Sequence, residues 1–302
     1  MPGVVHGAGS QIHSLPGNGL AADARYPRGV NDAAAAFGGL LRRWRSARRL
    51  SQLDLSLQAG ISSRHVSFLE TGRARPSRDM VLELCFALDV PLRDRNSLLL
   101  AAGFAPAYGE TDLASPDAAQ ARWALQLMVR RHEPFPAVVF DRRWNVLMAN
   151  APWLRLASLA EPPLAGLAPG QVIPPPRPNL LQLLFDRDGL RNAVENLEEV
   201  ASTLLARVER EFLPETDPDD IRRAYLARPE LQALRARARP GAQHAMIIPL
   251  RLRLGELRAR LFSTIATLGT AQDVTLQELR IEAFYPAAAE SEALLRAAAT
   301  ST

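Results

Sequence analysis

Arg64 stands near the start of the segment Ser62-Ser63-Arg64-His65-Val66-Ser67-Phe68-Leu69-Glu70. Its guanidinium is a planar fork of donors that can bond both acceptors of a guanine edge, or simply neutralise a phosphate. Its neighbours fit the same task. Ser62 suits a helix N-cap. Ser63 can touch a base or support the cap, and His65 and Ser67 can reach the groove or the nucleic-acid backbone. Phe68 offers an apolar face to a thymine methyl, or packs inward. Ten residues before Ser62, Gln52 begins another helical segment, where its amide and the positive helix end can meet a phosphate. Arg43, Arg73 and Arg75 would hold further phosphates. The chemistry implied is the reading of double-stranded DNA.

Such a side-chain set works only on crossed helices, the second of which presents its N-terminal end to the major groove. The run 50–77 has that form, with a turn at Ala59-Gly60-Ile61. Leu53, Leu57, Ile61, Val66 and Leu69 are expected to pack the pair. The surrounding pattern predicts five helices: one from Phe37 with Leu40, Leu41, Trp44 and Ala47 on its stripe, one capped by Ser51, one capped by Ser62, one opened by Pro76-Ser77, and one from Pro91 to Ala102. From Phe37 to Phe104 there are eleven Arg and six acidic residues, a net +5, while the whole chain of 302 residues carries +4. The positive charge is therefore concentrated in this segment, as expected of a phosphate-binding module. A solvated basic face would produce the same count.

Ser51-Gln52, Gly60, Leu69-Glu70-Thr71-Gly72 and the following Arg73, Arg75 and Pro76 resemble the phage-repressor-like XRE helix-turn-helix family. The resemblance implies a sequence-specific DNA-binding transcription regulator. Members of this fold gain specificity as dimers on half-sites about one helical turn apart, so a homodimer is expected. The stretches Val90–Phe104, Pro136–Val146 and Leu276–Pro286 are similar to the MmyB-like subgroup. That likeness implies a PAS-like C-terminal domain and a small apolar, fatty-acyl-like ligand.

After Phe104 comes a linker, then a helix expected over Ala121–Arg131, and beyond that helix the periodicity changes. Residues 1–35 read as a disordered arm, 36–104 as the helix-turn-helix domain, 105–120 as a linker, 121–290 as the ligand-binding or regulatory domain, and 291–302 as a tail. The C-terminal half shows a hairpin (Val138–Phe140 and Trp144–Met148), a helix capped by Asn150, a Pro-rich loop (161–178), a long amphipathic helix from Asp188 to Phe212, and helices near 218–227 and 229–238. Two alternating strands follow, around Met246–Leu254 and Leu257–Ile265, and a last one near Gln277–Phe284. About five antiparallel strands with inserted helices give an α+β fold. A curved sheet with helices over it can enclose an apolar cavity, for which Phe140, Trp144, Trp153, Leu184, Phe185, Leu197, Leu204 and Phe262 are candidate lining. Each also reads as ordinary core, which would make this half a packed dimerisation or protein-interaction module. Arg191 or His132 are candidates to meet a carboxylate.

No CxxC pair, HExxH, GxSxG or P-loop occurs, and His132 and His244 lack metal-ligand spacing. Neither an enzyme nor a cofactor is expected. No apolar run approaches the ~20 residues of a bilayer span, no signal peptide is read, and Cys85 stands alone. A cytoplasmic protein is expected.

Overall fold

Serine hydroxyls start three of the helices in the N-terminal part. In the computed structural model, which describes residues 30–158, 167–211, 221–237, 249–254, 257–269 and 271–300, α1 spans Val30–Ala47, α2 Gln52–Gln58, α3 Ser63–Glu70, α4 Arg78–Ala87 and α5 Leu92–Ala101. Ser51 caps α2 in a reciprocal box, its hydroxyl accepting from the Asp54 amide (3.0 Å) and the Asp54 carboxylate from the Ser51 amide (2.8 Å). Ser62 and Ser77 cap α3 and α4 through the His65 and Met80 amides. Helix α1 begins seven residues before Phe37, so residues 30–35, expected in the arm, are helical. The rest of the expected arm lies outside the described residues.

By contacts the chain divides into two compact units, one of residues up to 90 with 94–107, the other of 91–93 with 108 onward. The first is built around Phe37, Leu41, Leu55, Val66, Leu69, Leu84, Cys85, Leu88 and Leu99. Gly38 lets α1 cross the end of α3 closely, since a Cβ there would lie 2.5 Å from the Leu69 carbonyl oxygen. Gly60 takes φ +65° at the turn between α2 and α3. Val66 and Leu69 are buried and Ile61 packs against the same core, as expected, but Leu53 and Leu57 are not the packing residues of α2. They are 59% and 75% exposed, while Leu55 is fully buried. On a helix, leucines two apart cannot share a face. Leu55 goes inward, flanked by Ser56 and Ala59, which leaves the Leu53–Leu57 stripe outside.

The second unit holds one antiparallel sheet, order β2-β1-β5-β4-β3, from β1 (Ala137–Phe140), β2 (Val146–Ala149), β3 (Leu250–Leu254), β4 (Leu257–Ala266) and β5 (Arg280–Pro286). Strand β1 is buried on both faces. Ala137 and Val139 face a core shared with Leu125 and Val129 of α6 (Ala119–Arg131). Val138 and Phe140 face a larger core with α7 (Ala151–Ser158), α8 (Leu180–Phe185), α9 (Leu197–Glu211), α10 (Ile221–Ala227) and α11 (Pro229–Arg237). Buried Asn150 ties three of these elements: its side-chain oxygen accepts from the Ala137 and Trp153 amides, and its Nδ2 donates to the Val129 carbonyl. A short helix α12 (Val274–Glu278) precedes β5, and α13 (Ala289–Thr300) follows it.

Several boundaries differ from the sequence pattern. The expected helix 188–212 is broken. Leu190–Asn192 form a 3-10 turn, and residues 193–195 run beside β3, with Glu195 and Arg253 amides donating to the Arg251 and Ala193 carbonyls (both 2.8 Å). Asn196 is the reason: its Nδ2 donates to Pro249 O and its Oδ1 accepts from the Arg251 amide, so it serves the strand rather than a helix. Helix α9 starts only after it. Trp144 is not in a strand but at φ +68° in the turn before β2. The last strand starts at Arg280 because Asp273 caps α12 through the Leu276 amide. Met246, Ile248, Phe212 and part of the Pro-rich loop lie outside the described residues.

Candidate functional site

Helix α3 presents Ser62, Ser63 and Arg64 to solvent, with His65, Ser67 and Phe68 half-buried behind them. Ser62 is committed to capping. The Arg64 guanidinium lies 5.2 Å from the centre of the Phe68 ring, a cation–π contact that holds the fork at the exposed end of the helix. Arg73 and Arg75 follow α3 on an exposed loop, and Arg43 is exposed on α1.

Gln52 behaves differently from expectation. Its Nε2 donates to Glu70 Oε2 (2.8 Å), so the amide is engaged within the protein rather than held out for a phosphate. Glu70 also accepts both forks of Arg45, from Nε at 2.6 Å and Nη2 at 2.9 Å, while Arg45 Nη1 donates to the Leu50 carbonyl. The Glu70 side chain is 2% exposed. Burial pushes its carboxyl up, but the hydrogen bonds from Arg45 and Gln52 and the charges of Arg45 and Arg42 outweigh it, and the group titrates below the ordinary carboxylate range. This triad joins the ends of α1 and α3 and the start of α2. Its signal in the sequence was the Glu of Leu-Glu-x-Gly, whose partner among several Arg was not legible.

In the second unit a cavity of about 310 Å³ opens between the β4–β5 face and helices α7, α8 and α9. Of the candidate lining, Trp144, Trp153, Leu184 and Leu204 face it. Phe140 instead stacks behind Trp144 (5.2 Å between ring centres) and Phe185 packs near Tyr225. Leu197 packs on the cores beside the cavity. Phe262 is on the wrong face of β4: Ser263 and Ile265 line the cavity, so strand alternation sends Phe262 to the other side, where it stacks on Tyr285 at 5.3 Å.

The polar lining was missed: Thr203 and Arg207 on α9, Ser263 on β4 and Glu282 on β5. Arg207 lies 4.8 Å from the Trp144 ring centre and 5.7 Å from that of Phe140. The signal was its spacing, since Val200, Thr203, Leu204 and Arg207 repeat at three and four along one helix face. The Trp144 indole Nε1 is buried without a hydrogen-bond partner. Neither candidate carboxylate partner is part of the lining. His132 Nε2 is 2.7 Å from the Phe284 carbonyl oxygen and its ring meets Tyr285 edge-on.

A family model described as the MmyB-like transcription regulator ligand binding domain matches residues 121–298, well over half of the chain, and a helix-turn-helix domain model matches 36–98. The chain belongs to the MmyB-like transcription regulators. This MmyB-like regulator is also similar to parts of solved structures. One is the restriction-modification controller protein C.AhdI from Aeromonas hydrophila, with 34% identity, 20% of this chain and 94% of that one covered, and TM-score 0.20. Another is the clp gene regulator ClgR from C. glutamicum, with 30% identity, 24% and 90% covered, and TM-score 0.21. No curated protein matches the chain. Among the described residues of this MmyB-like regulator, no helix is long and apolar enough to cross a membrane.

Proposed function

We propose that this DNA-binding transcription regulator reads its operator with Arg64 and the exposed end of α3, and senses a small apolar ligand with an acidic end in the α9 cavity. The observation that carries the second half is Arg207 lining an otherwise largely apolar cavity. Its volume is at the lower end of the ~300–1,000 Å³ usual for small-molecule sites. An alkyl chain gains ~0.8 kcal/mol per buried methylene, so about ten carbons offset a substantial part of the association cost. Arg207 supplies a guanidinium that a ligand carboxylate can meet, in a lining that also holds Glu282. A fatty acid has this chemistry.

Decanoate and decanol test the reading by calorimetric titration. Arg207→Ala should weaken decanoate by ~10–100-fold, the span of a charge-assisted hydrogen bond, and leave decanol nearly unchanged. Equal loss for both, or binding of neither to the wild type, would sink it. The latter result would favour a packed interaction module. A bound ligand changes operator affinity only as far as it binds two states of the protein differently, so operator binding with and without decanoate checks the coupling.

A further inference from the structure

Residues 37–104 net +5 and the whole chain +4, so the rest nets −1. Within that rest, the ten residues 251–260 hold four arginines, Arg251, Arg253, Arg258 and Arg260, and one acid, Glu256. Strands β3 and β4 pair so that Arg251 lies opposite Arg260 and Arg253 opposite Arg258. Leu250, Ser263 and Ile265 line the cavity, and Leu252, Ala259 and Leu261 are buried. Alternation therefore sends all four arginines to the other face of the sheet. Arg253, Arg258 and Arg260 are exposed there and Arg251 is half-buried. Opposed residues of such a ladder stand ~5 Å apart at Cβ, and same-face neighbours along a strand ~7 Å apart. The four side chains thus start from one compact block. Like charges directly opposite each other destabilise a sheet.

The fold only partly balances this block. Glu199 takes Arg251 (3.1 Å) and Glu195 takes Arg258 (3.3 Å). The Arg258 side chain is 74% exposed, and a pair so placed is worth little. Arg253 and Arg260 have no side-chain hydrogen bond or ion pair among the described residues. The remaining acids of α9's first turn and of α13 do not reach them. Glu198 is with Arg237 and Glu292 with Arg296. Glu290, beside the Ser291 hydroxyl that accepts the Arg260 amide, forms no ion pair among the described residues. Charges that merely protect a sheet edge belong on the edge strand. Here two of the four are on β4, which has a strand on each side, and residues 193–195 already run beside β3.

Planar, permanently charged forks set side by side match a row of phosphates. The polyanion at hand is DNA. The chain carries a helix-turn-helix domain, and duplex held by one part of a chain meets the rest at high effective concentration. A lipid surface would call for exposed apolar side chains beside the charges, whereas Phe262 and Tyr285 on this face are half-buried and stacked on each other. We propose that the face of the β3–β4 hairpin turned from the cavity is a second nucleic-acid contact, in which Arg253, Arg258 and Arg260 hold the phosphate backbone of duplex DNA without reading its bases. The proposal rests on the chain binding DNA, but on neither the role of Arg64 nor the ligand of the α9 cavity.

Fluorescence anisotropy of the full chain with a random duplex of about four helical turns, ~40 bp, tests it over a range of salt concentrations. Arg253→Gln with Arg260→Gln should weaken binding ~10–100-fold near 0.1 M salt and flatten the dependence of log K on log salt by about two. Arg155→Gln with Arg187→Gln removes the same charge from α7 and the loop after α8, and should leave that slope unchanged. The unfolding midpoint of the hairpin variant should not fall, since its substitutions relieve repulsion between opposed like charges. An unchanged slope for the hairpin variant, while Arg73→Ala still weakens binding, would overturn this proposal alone. Equal losses for the hairpin variant and the matched control would also overturn it, as would a lowered midpoint, which would make these arginines parts of the fold. So would phosphatidylserine vesicles bound by wild type and lost by the hairpin variant with duplex binding intact. A wild type that holds no duplex at any salt would overturn the DNA-binding reading itself, and this proposal with it.

Discussion

Glu70 accepts from three side-chain nitrogens, two of Arg45 and one of Gln52, with almost no contact with water. Removing it strands Arg45, itself only 13% exposed, and a buried charge without its partner is costly. Glu70→Ala should therefore cost about 2–4 kcal/mol in urea unfolding, far more than a surface ion pair is worth. The same pair imposes a pH dependence. The folded carboxyl titrates below its unfolded value near 4.5. Its stabilisation is complete above that value and disappears as pH falls through the lower folded value. The urea midpoint of wild type should thus drop below about pH 4.5 more steeply than that of Glu70→Gln. Arg64 and Arg73 differ at this scale too. Arg64 sits at the end of α3 with its fork held over Phe68, and Arg73 on the loop beyond. Arg64→Ala should weaken specific DNA binding more than non-specific binding, whereas Arg73→Ala should weaken both alike. Gel-shift titrations against operator and random duplex decide this, and equal losses would reduce Arg64 to a phosphate contact.

Among the elements, α2 shows what an amphipathic pattern can and cannot convey. Leu53, Leu55 and Leu57 alternate, and a helix can bury only one of the two stripes. Leu55→Ala should cost about 2–5 kcal/mol, while Leu57→Ala should stay within about 0.5 kcal/mol, as thermal unfolding of the two variants would show. The helices, their serine caps and the turn glycine of this part were legible because each is a local signal. The choice of Leu55 was not, because it is made by α1, α3 and α4. In the second unit the alternating strands were legible for the same reason. The start of α9 was not: the apolar spacing of Leu190, Val194 and Leu197 continues a helix on paper, and only the bonds of Asn196 to Pro249 and Arg251, more than fifty residues away, end it. Half of the candidate cavity lining was found, because Trp and Leu on a sheet-facing stripe are good candidates for any interior. Arg207 was not, since a cation at the edge of an apolar stripe looks like an ordinary solvent-facing residue until the opposite wall is in place.

At the scale of the molecule, each unit has its own core, and among the described residues no core cluster mixes them. Cys85 belongs to the first, where burial pushes its thiol up to about 12. It should resist a thiol reagent at pH 8 at a rate set by opening of that unit, and Leu55→Ala should accelerate the labelling while decanoate leaves it unchanged. Conversely, decanoate at a hundredfold excess over its dissociation constant should stabilise the second unit by ~2.7 kcal/mol, seen as a rise in the corresponding calorimetric transition.

Trp144 and Trp153 both line the cavity, one of them beneath a guanidinium, while the chain's other two tryptophans, Trp44 and Trp123, lie elsewhere. Indole emission depends on nearby charge and on water. The cavity thus carries its own lamp: with Trp44 and Trp123 replaced by Phe, the colour and brightness of the remaining light should respond to a molecule such as decanoate entering it, with no label attached.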